Sequence, residues 1–315
     1  MRTVYCAPIE RHVSALGFGC ASLGSRISQI DGERALAAAF EGGITWYDVA
    51  PPYGDGRAEA LLGKFLRGRR DQVVICTKVG IGRPTIGPQK ALARTLLRPL
   101  VSAMPQFRAA MARIRQPGVR LPITPAMIEQ SVVRSLQDLQ TDHVDVLALH
   151  EPTPEECADP FIRAALERVL ANGYTRSICI AGSTSSALAA FKGAGPYTIA
   201  QFADSPFDDA IGRLTIGLAG RAKPFLITHG IFGSGNIERL SKLQRQTPSL
   251  RGGATTGELL LSYALAKNID GVVLASMFNR QHIQANCILA ASPPRFELSE
   301  WVSRMAARST EHIEF

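Results

Sequence analysis

The sequence has no acidic residue between Gly80 and Ile123, a stretch that holds Arg83, Lys90, Arg94, Arg98, Arg108, Arg113, Arg115 and Arg120. Those eight positive charges equal the whole net charge of +8, leaving 27 basic and 27 acidic residues elsewhere in balance. The excess is local, so a broadly basic surface for nucleic acid is not expected. No apolar run reaches the ~18 residues that a membrane-spanning helix needs. The N-terminal MRTVYCAPIERHVSALGFG is interrupted by charge before any signal-like apolar stretch develops, so neither a leader nor an anchor is expected. Cys6, Cys20, Cys76, Cys157, Cys179 and Cys287 are scattered without a C-x-x-C. His12, His143, His150, His229, His282 and His312 form no ligand-spaced pair. Neither a disulfide frame nor a metal site is expected, and reduced thiols in a cytoplasmic protein are. Repeats and low-complexity tracts are also lacking, which excludes a solenoid.

What is present is alternation. Short β-rich runs occur at Ser14–Cys20, Thr45–Asp48, Val73–Lys78, Val144–Leu149, Ser177–Ala181, Thr198–Phe202, Phe225–Thr228 and Gly271–Ala275. Most are continuously apolar, as parallel strands buried on both faces must be. Amphipathic segments lie between and after them, at Asp31–Glu41, Ala58–Arg67, Pro125–Leu139, Pro160–Ala171, Ser185–Lys192, Asp209–Arg221, Thr255–Lys267 and Arg280–Ala290. Asp31 and Thr124-Pro125 read as helix starts. Eight strand–helix units in succession fit a closed (β/α)8 TIM barrel, an α/β fold, better than an open sheet with a second domain. The expectation is one domain over residues 1–315, with a further helix in Glu297–Phe315. Two connections are long, the basic insert at about 80–123 after the third strand and Gly230–Ala254 after the seventh. Both leave the C-terminal ends of strands, where barrel enzymes place their active sites.

Four polar residues stand at or just beyond successive strand ends. Asp48 closes TWYDVA, Tyr53 follows in PPYGDG, Lys78 ends VVICTK, and His150 ends DVLALHEP. In a barrel these ends converge on one mouth. Taken singly, Asp48 and Lys78 read as a structural ion pair, Tyr53 as a packed aromatic and His150 as a satisfied polar residue. Their joint occurrence favours an active site. Their order resembles that of the aldo-keto reductases, and the carbonyl reduction that this resemblance implies requires a hydride donor on one face and a proton donor at the oxygen. A tyrosine hydroxyl titrates near ~10, and a neighbouring ammonium lowers that value. Tyr53 is therefore the expected acid–base, Lys78 its tuner, Asp48 the partner that fixes Lys78, and His150 the group that orients the carbonyl oxygen.

This order of residues, with the glycine-rich LGFGCASLG and the segment GGITWYDVAPPYGDGRAEALLGKFL, resembles the aldo-keto reductases. The resemblance implies a nicotinamide-dependent carbonyl reductase or dehydrogenase acting on a small carbonyl or sugar substrate, with no nucleic-acid or membrane partner. It makes Gly19 and Asp48 cofactor-binding residues, and places Gln201 facing the nicotinamide carboxamide, His229 where a stacking aromatic often stands, and Phe232 and Gly233 in a loop around the pyrophosphate. Ser234 and Gly235 would help that loop through backbone N–H groups. In LASMFNRQHIQANC, Ser276, Arg280, Gln281 and Asn286 would approach the adenosine end. An arginine at a helix N-terminus suits a phosphate, so NADP is expected, with NAD as the alternative. No Rossmann turn holds the nucleotide, because Ser22 stands where G-x-G-x-x-G requires its third glycine.

The pattern departs from the family after the fifth strand, where RSICIAGSTSS puts Ala181 and Gly182 in the places of a Ser-Asn pair that binds the carboxamide. Ser183 substitutes only if the register slips. That loss motivates an alternative, a nucleotide-sensing or regulatory binding protein on the same barrel. In the insert, Lys90, Arg94 and Arg98 recur every four residues, with Leu92, Leu96, Leu97 and Val101 on another side. This reads as an amphipathic helix, either a solvated face over the barrel or a lid that attracts an anion. TKVGIGRP is also similar to some aldose and pyridoxal dehydrogenases of the family, which points to a sugar lactol or small aldehyde.

Overall fold

The computed structural model describes residues 1–84, 119–233, 237–246 and 255–308. Most of the basic insert lies outside the described residues, with Lys90, Arg94, Arg98, Arg108, Arg113 and Arg115; Ser234 and Gly235 lie outside them too.

Ten strands are described. β1 (Thr3–Cys6) and β2 (Arg11–Ser14) form an antiparallel hairpin, which the strand assignment from sequence does not anticipate. The other eight, β3 (Leu16–Gly19), β4 (Trp46–Asp48), β5 (Val74–Val79), β6 (Val144–His150), β7 (Thr175–Ala181), β8 (Tyr197–Ala203), β9 (Phe225–His229) and β10 (Val272–Ala275), are parallel and close into a barrel in the order β10-β3-β4-β5-β6-β7-β8-β9. All eight expected strands are therefore present, with ends shifted by a residue or two.

Helices α1 (Gln29–Glu41), α2 (Ala58–Leu66), α3 (Pro125–Leu139), α4 (Pro154–Ala158), α5 (Pro160–Ala171), α6 (Thr184–Lys192), α7 (Ala210–Gly217), α8 (Ile237–Gln246), α9 (Thr256–Lys267), α10 (Arg280–Ala291) and α11 (Phe296–Arg308) complete the described elements. The local causes are plain in α3. Thr124 accepts a hydrogen bond from the Met127 N–H, Pro125 fits the first turn, and Ile128, Val132, Leu136 and Leu139 make a buried stripe at helical spacing. α1 begins earlier than expected, because Ser28 and not Asp31 is the N-cap; Asp31 N–H donates to the Ser28 hydroxyl at 3.0 Å. α7 stops at Gly217, short of Arg221, and the chain turns through Gly220 at φ +77°. α8 occupies part of the expected long connection after β9. No helix among the described residues is long and apolar enough to cross a membrane. All six cysteines are buried and unpaired.

The two ends of the segment between β5 and α3 are tied down. Gly82 N–H donates to Val119 O at 3.1 Å and Leu121 N–H to Gly80 O at 3.0 Å. Arg83 donates to Glu59 and Asp138, each at 2.6 Å, and Arg120 donates to Glu156. These two of the eight local cations are thus committed to carboxylates.

Candidate active site

Register alone decides which side chains face the barrel interior, since laterally paired residues share a face and so do residues two apart on one strand. Gly19 pairs with Asp48, Asp48 with Cys76, Lys78 with Ala148, His150 with Ala181, Ala181 with Gln201, and Ala203 with His229. Stepping by two along β5, β6 and β8 links these pairs into one ring. Asp48, Lys78, His150, Gln201 and His229 therefore belong to the same inward set at the C-terminal ends of the strands.

Lys78 is only 2% exposed, and its ammonium donates to Asp48 Oδ1 at 2.5 Å and to Val49 O at 3.2 Å. The same Nζ stands 4.9 Å from the centre of the Tyr53 ring. Tyr53 meets the His150 ring edge-to-face, with centroids 5.9 Å apart at 88°. The four expected catalytic side chains are thus one contact group. The backbone carries Tyr53 there by a short turn over Tyr53–Gly56 in which Gly54 has φ +62° and Asp55 φ +58°. Gly54 N–H donates to Ala21 O at 3.4 Å, and the Arg57 guanidinium to Gly24 O at 2.7 Å, so the loops after β3 and β4 are tied together.

Electrostatics corrects one expectation. Burial pushes the Tyr53 hydroxyl above its ordinary value, and the opposing pull of Lys78 does not overcome it, so Tyr53 is not lowered by its neighbour. Burial also works against the Lys78 charge, but Asp48, Tyr53 and Cys76 together outweigh it and lift the ammonium above its usual range. His150 is brought down to about 3, by burial first and then by Lys78 and His229. His229 is lowered as well, chiefly by burial. The mouth therefore presents a protonated phenol, a fixed ammonium and two neutral imidazoles at neutral pH.

A cavity of about 830 Å³ opens from this group. Gly19, Asp48, Tyr53, Gln201, His229, Phe232, Ser276 and Asn286 line it, which covers most of the expected cofactor residues. Lys78 lies behind the wall, and His150 meets the cavity through Tyr53. Gly233, Arg280 and Gln281 are not on the wall. Gly233 sits against the Phe207 ring, while Arg280 and Gln281 face solvent at the start of α10. The wall contains residues that the sequence reading passed over, notably His282, Asn279 and Thr255. His282 was detectable, because it lies four residues before Asn286 and so on the same helix face.

The residues present fit a nucleotide of dinucleotide size. The volume lies within the range of ligand pockets, roughly 300–1,000 Å³. Both α9 and α10 point their N-terminal turns at it, through Thr255 and Gly257 and through Asn279 and His282. Asp48 Oδ2 and His150 Nδ1 are buried without a hydrogen-bond partner among the described residues, leaving polar capacity at the mouth. The Ala181-Gly182 departure has a steric counterpart. A Cβ on Gly182 would stand 3.3 Å from both Glu151 Cα and Pro152 Cδ, so a side chain there is tight and requires a small adjustment of the loop after β6. Ser183 does not replace the missing pair, since its hydroxyl caps α6 by accepting from Ser186 N–H at 3.1 Å. Among the described residues no group of His, Cys, Asp or Glu is arranged to hold a metal ion.

The chain resembles known proteins along most of this barrel. Against D-threo-aldose 1-dehydrogenase of Pseudomonas sp it is 32% identical over 185 residues, 56% of this chain and 52% of that protein. Against pyridoxal 4-dehydrogenase of Microbacterium luteolum it is 46% identical over 71 residues, 22% of this chain and 21% of that one. The chain thus spans about half, or less, of the length of these relatives. Among solved structures, aldo-keto reductase AKR11C1 from Bacillus halodurans superposes with a TM-score of 0.74 at 23% identity, covering 97% of this chain and 96% of that one, a likeness of fold. The aldo/keto reductase family model matches residues 15–207, from the start of the barrel through β8. With more than half of its length matched in this way, the protein belongs to the aldo/keto reductase family.

Proposed function

We propose that this protein is a nicotinamide-dependent oxidoreductase that interconverts a carbonyl compound and an alcohol. The observation that carries the reading is the convergence of Asp48, Lys78, Tyr53 and His150 at one end of the 830 Å³ cavity. A nicotinamide nucleotide, the cofactor its family uses, supplies or accepts the hydride when bound. Everything else falls to the chain itself. Tyr53, held protonated by burial, donates its proton to the carbonyl oxygen in the direction of reduction. Lys78, pinned by Asp48 against the Tyr53 ring, stabilises the phenolate left behind. His150 stays neutral, so one ring nitrogen carries a proton that hydrogen-bonds the carbonyl oxygen and orients it. Gln201 and His229 would hold the nicotinamide end, and Ser276, His282 and Asn286 the adenosine end, as residues that line the cavity. NADP is preferred to NAD in this reading because Arg280, in the first turn of α10 next to Asn279 of the cavity wall, forms no ion pair among the described residues. The substrate class is a sugar lactol or small aldehyde, in keeping with the names of the aldose and pyridoxal dehydrogenases it resembles. All four polar side chains are in contact, and no feature of the mouth favours a purely regulatory barrel.

The test is binding of NADPH and NADH by fluorescence, with Tyr53→Phe assayed beside wild type against a panel of aldehydes. Tight binding, and turnover that vanishes in the variant while binding survives, supports the reading. Absence of binding by either nucleotide overturns it.

A further inference from the structure

Behind the barrel wall, a buried carboxylate joins the segment that carries Tyr53 to the strand that carries Lys78. Tyr53 opens the short turn Tyr53–Gly56, which runs through Arg57 straight into α2. The turn rests on that helix, since a Cβ on Gly54 would stand 3.2 Å from the Ala58 Cβ. The next residue of α2 is Glu59, which is 2% exposed. Lys78 points into the barrel, so Thr77, its neighbour on β5, points outward toward the helices. There the Thr77 hydroxyl donates to Glu59 Oε1 at 2.7 Å. The helix that continues the Tyr53 turn is thus bonded to the residue adjoining Lys78.

The other carboxylate oxygen is engaged as well. Arg83, on the segment that leaves β5, donates to Glu59 Oε2 and to Asp138 of α3, each at 2.6 Å. Its stem lies against the last residue of the Tyr53 turn, for a Cβ on Gly56 would meet Arg83 Cβ and Cγ at 3.8 Å. Glu59 therefore holds β5 with one oxygen and, with the other, a cation that covers the turn. Packing alone does not call for this arrangement. Burial works against the charge and raises the Glu59 carboxyl above its ordinary value, despite the opposing pull of Thr77 and Arg83. Apolar side chains of similar volume often stabilise such a place as well as an ion pair does. What directed, charge-assisted hydrogen bonds add over packed methylenes is a fixed geometry.

We propose that Glu59 is a positioning residue, whose clamp on Thr77 and Arg83 sets the separation of the Tyr53 ring from the Lys78 ammonium. The inference rests on the oxidoreductase reading above, in which Lys78 stabilises the Tyr53 phenolate. Asp48 fixes Lys78 from inside the barrel, and Glu59 fixes the Tyr53 turn from outside it. Attraction between ammonium and phenolate falls with distance. A slackened clamp therefore leaves the phenol harder to ionise and a poorer proton donor to the carbonyl oxygen.

The test places meta-fluorotyrosine at position 53 of the nucleotide-free protein and follows ionisation of that ring by fluorine NMR. The kcat of the unlabelled proteins is measured beside it, with para-nitrobenzaldehyde and NADPH or NADH. Thr77→Val removes the hydroxyl that Glu59 accepts from at little change in volume, and Thr77→Ser keeps it. Glu59→Met combined with Arg83→Met removes the clamp without leaving either partner as a lone buried charge. In this double variant and in Thr77→Val the ionisation midpoint rises by about half a pH unit or more, and kcat falls about tenfold. Thr77→Ser stays close to wild type in both. A role in stability alone moves Tm and leaves the midpoint where it was. An unchanged midpoint in the double variant or in Thr77→Val overturns the proposal, as does a midpoint displaced as far in Thr77→Ser as in Thr77→Val. The titration needs neither nucleotide nor turnover. A wild type that consumes the aldehyde with neither nucleotide therefore overturns the oxidoreductase reading, while the midpoints still judge the clamp.

Discussion

The carbonyl oxygen of Leu23 occupies the space where a Cβ on Gly54 would have to be. The turn that carries Tyr53 is therefore fitted against the loop after β3 with no room for any side chain. Gly54→Ala should drive the two loops apart and add left-handed strain of about 1–2 kcal/mol on top of the clash. The expected outcome is a lower Tm and a fall in kcat of about 100-fold or more, since small misplacements of a reacting group are costly. Thermal melts beside steady-state kinetics check it, and a near-normal kcat would show that the turn tolerates displacement.

The Lys78–Asp48 pair is almost fully buried, with side chains 2% and 4% exposed. Removing one partner strands the other charge, which typically costs about 3–5 kcal/mol. Lys78→Met and Asp48→Asn should each destabilise strongly, whereas the double variant should recover part of that loss. Denaturant unfolding of all four proteins closes the cycle. Additive losses would mean that the pair is not coupled.

The pH dependence of carbonyl reduction should be flat where an ordinary histidine would bend it. His150 at about 3 is already neutral at pH 5, and it stays neutral as pH rises. Tyr53 lies above the ordinary phenol value, so it keeps its proton until well into alkaline conditions. The kcat/KM profile is expected to be level from about pH 5 to about pH 9, where neither group titrates. An inflection near pH 6–7 that disappears in His150→Gln would overturn the assignment of a neutral imidazole.

Asp204 gives the opposite kind of handle, on stability. It is buried at the start of α7, where its Oδ1 accepts from Ala210 N–H at 2.9 Å and Ile211 N–H at 3.2 Å. Burial nevertheless lifts it to about 6. A carboxyl raised in the folded state favours folding below its unfolded value, near ~4, and loses that contribution as pH rises through about 6. Asp204→Asn keeps an acceptor oxygen for both N–H groups and never carries the charge. It should be more stable than wild type at pH 8, by on the order of 1–3 kcal/mol, and nearly equal to it at pH 4. Chemical denaturation at the two pH values decides the matter.

Sequence pattern exposed the barrel because strands buried on both faces are written as nearly unbroken apolar runs, and most of the eight were of that kind. It missed what pattern does not encode. The β1–β2 hairpin is only four residues to a strand. α8 was hidden by its charges, although Leu240 and Leu243 mark an apolar side. α4 was overlooked despite an explicit start signal, for Thr153 and Glu156 form a reciprocal cap around Pro154. In the site, Asp48, Tyr53, Lys78 and His150 were legible from their places at strand ends. The state of Tyr53 was not, since the balance between burial and Lys78 depends on distances that only folding sets. Nor does any local signal announce the left-handed backbone at Glu151, where φ is +53°, which is imposed by hydrogen bonds to Ala181 and Arg120 from distant parts of the chain.

The ring of strands is sealed by β10 lying beside β3, with Val273 opposite Leu16 and Ala275 opposite Phe18. The family match ends at residue 207, after β8, and a fragment cut there would keep Asp48, Tyr53, Lys78 and His150. Such a fragment would also present two unpaired margins, one along β3 and one along β8, each a row of bare amide and carbonyl groups ready to join a neighbouring molecule. Truncates of this protein should therefore precipitate as ribbons of stacked sheet and not survive as smaller catalysts. The shortest piece of chain able to hold the cavity runs from Leu16 to beyond Ala275, which makes the barrel indivisible even though Asp48, Tyr53, Lys78 and His150 all lie in the first half.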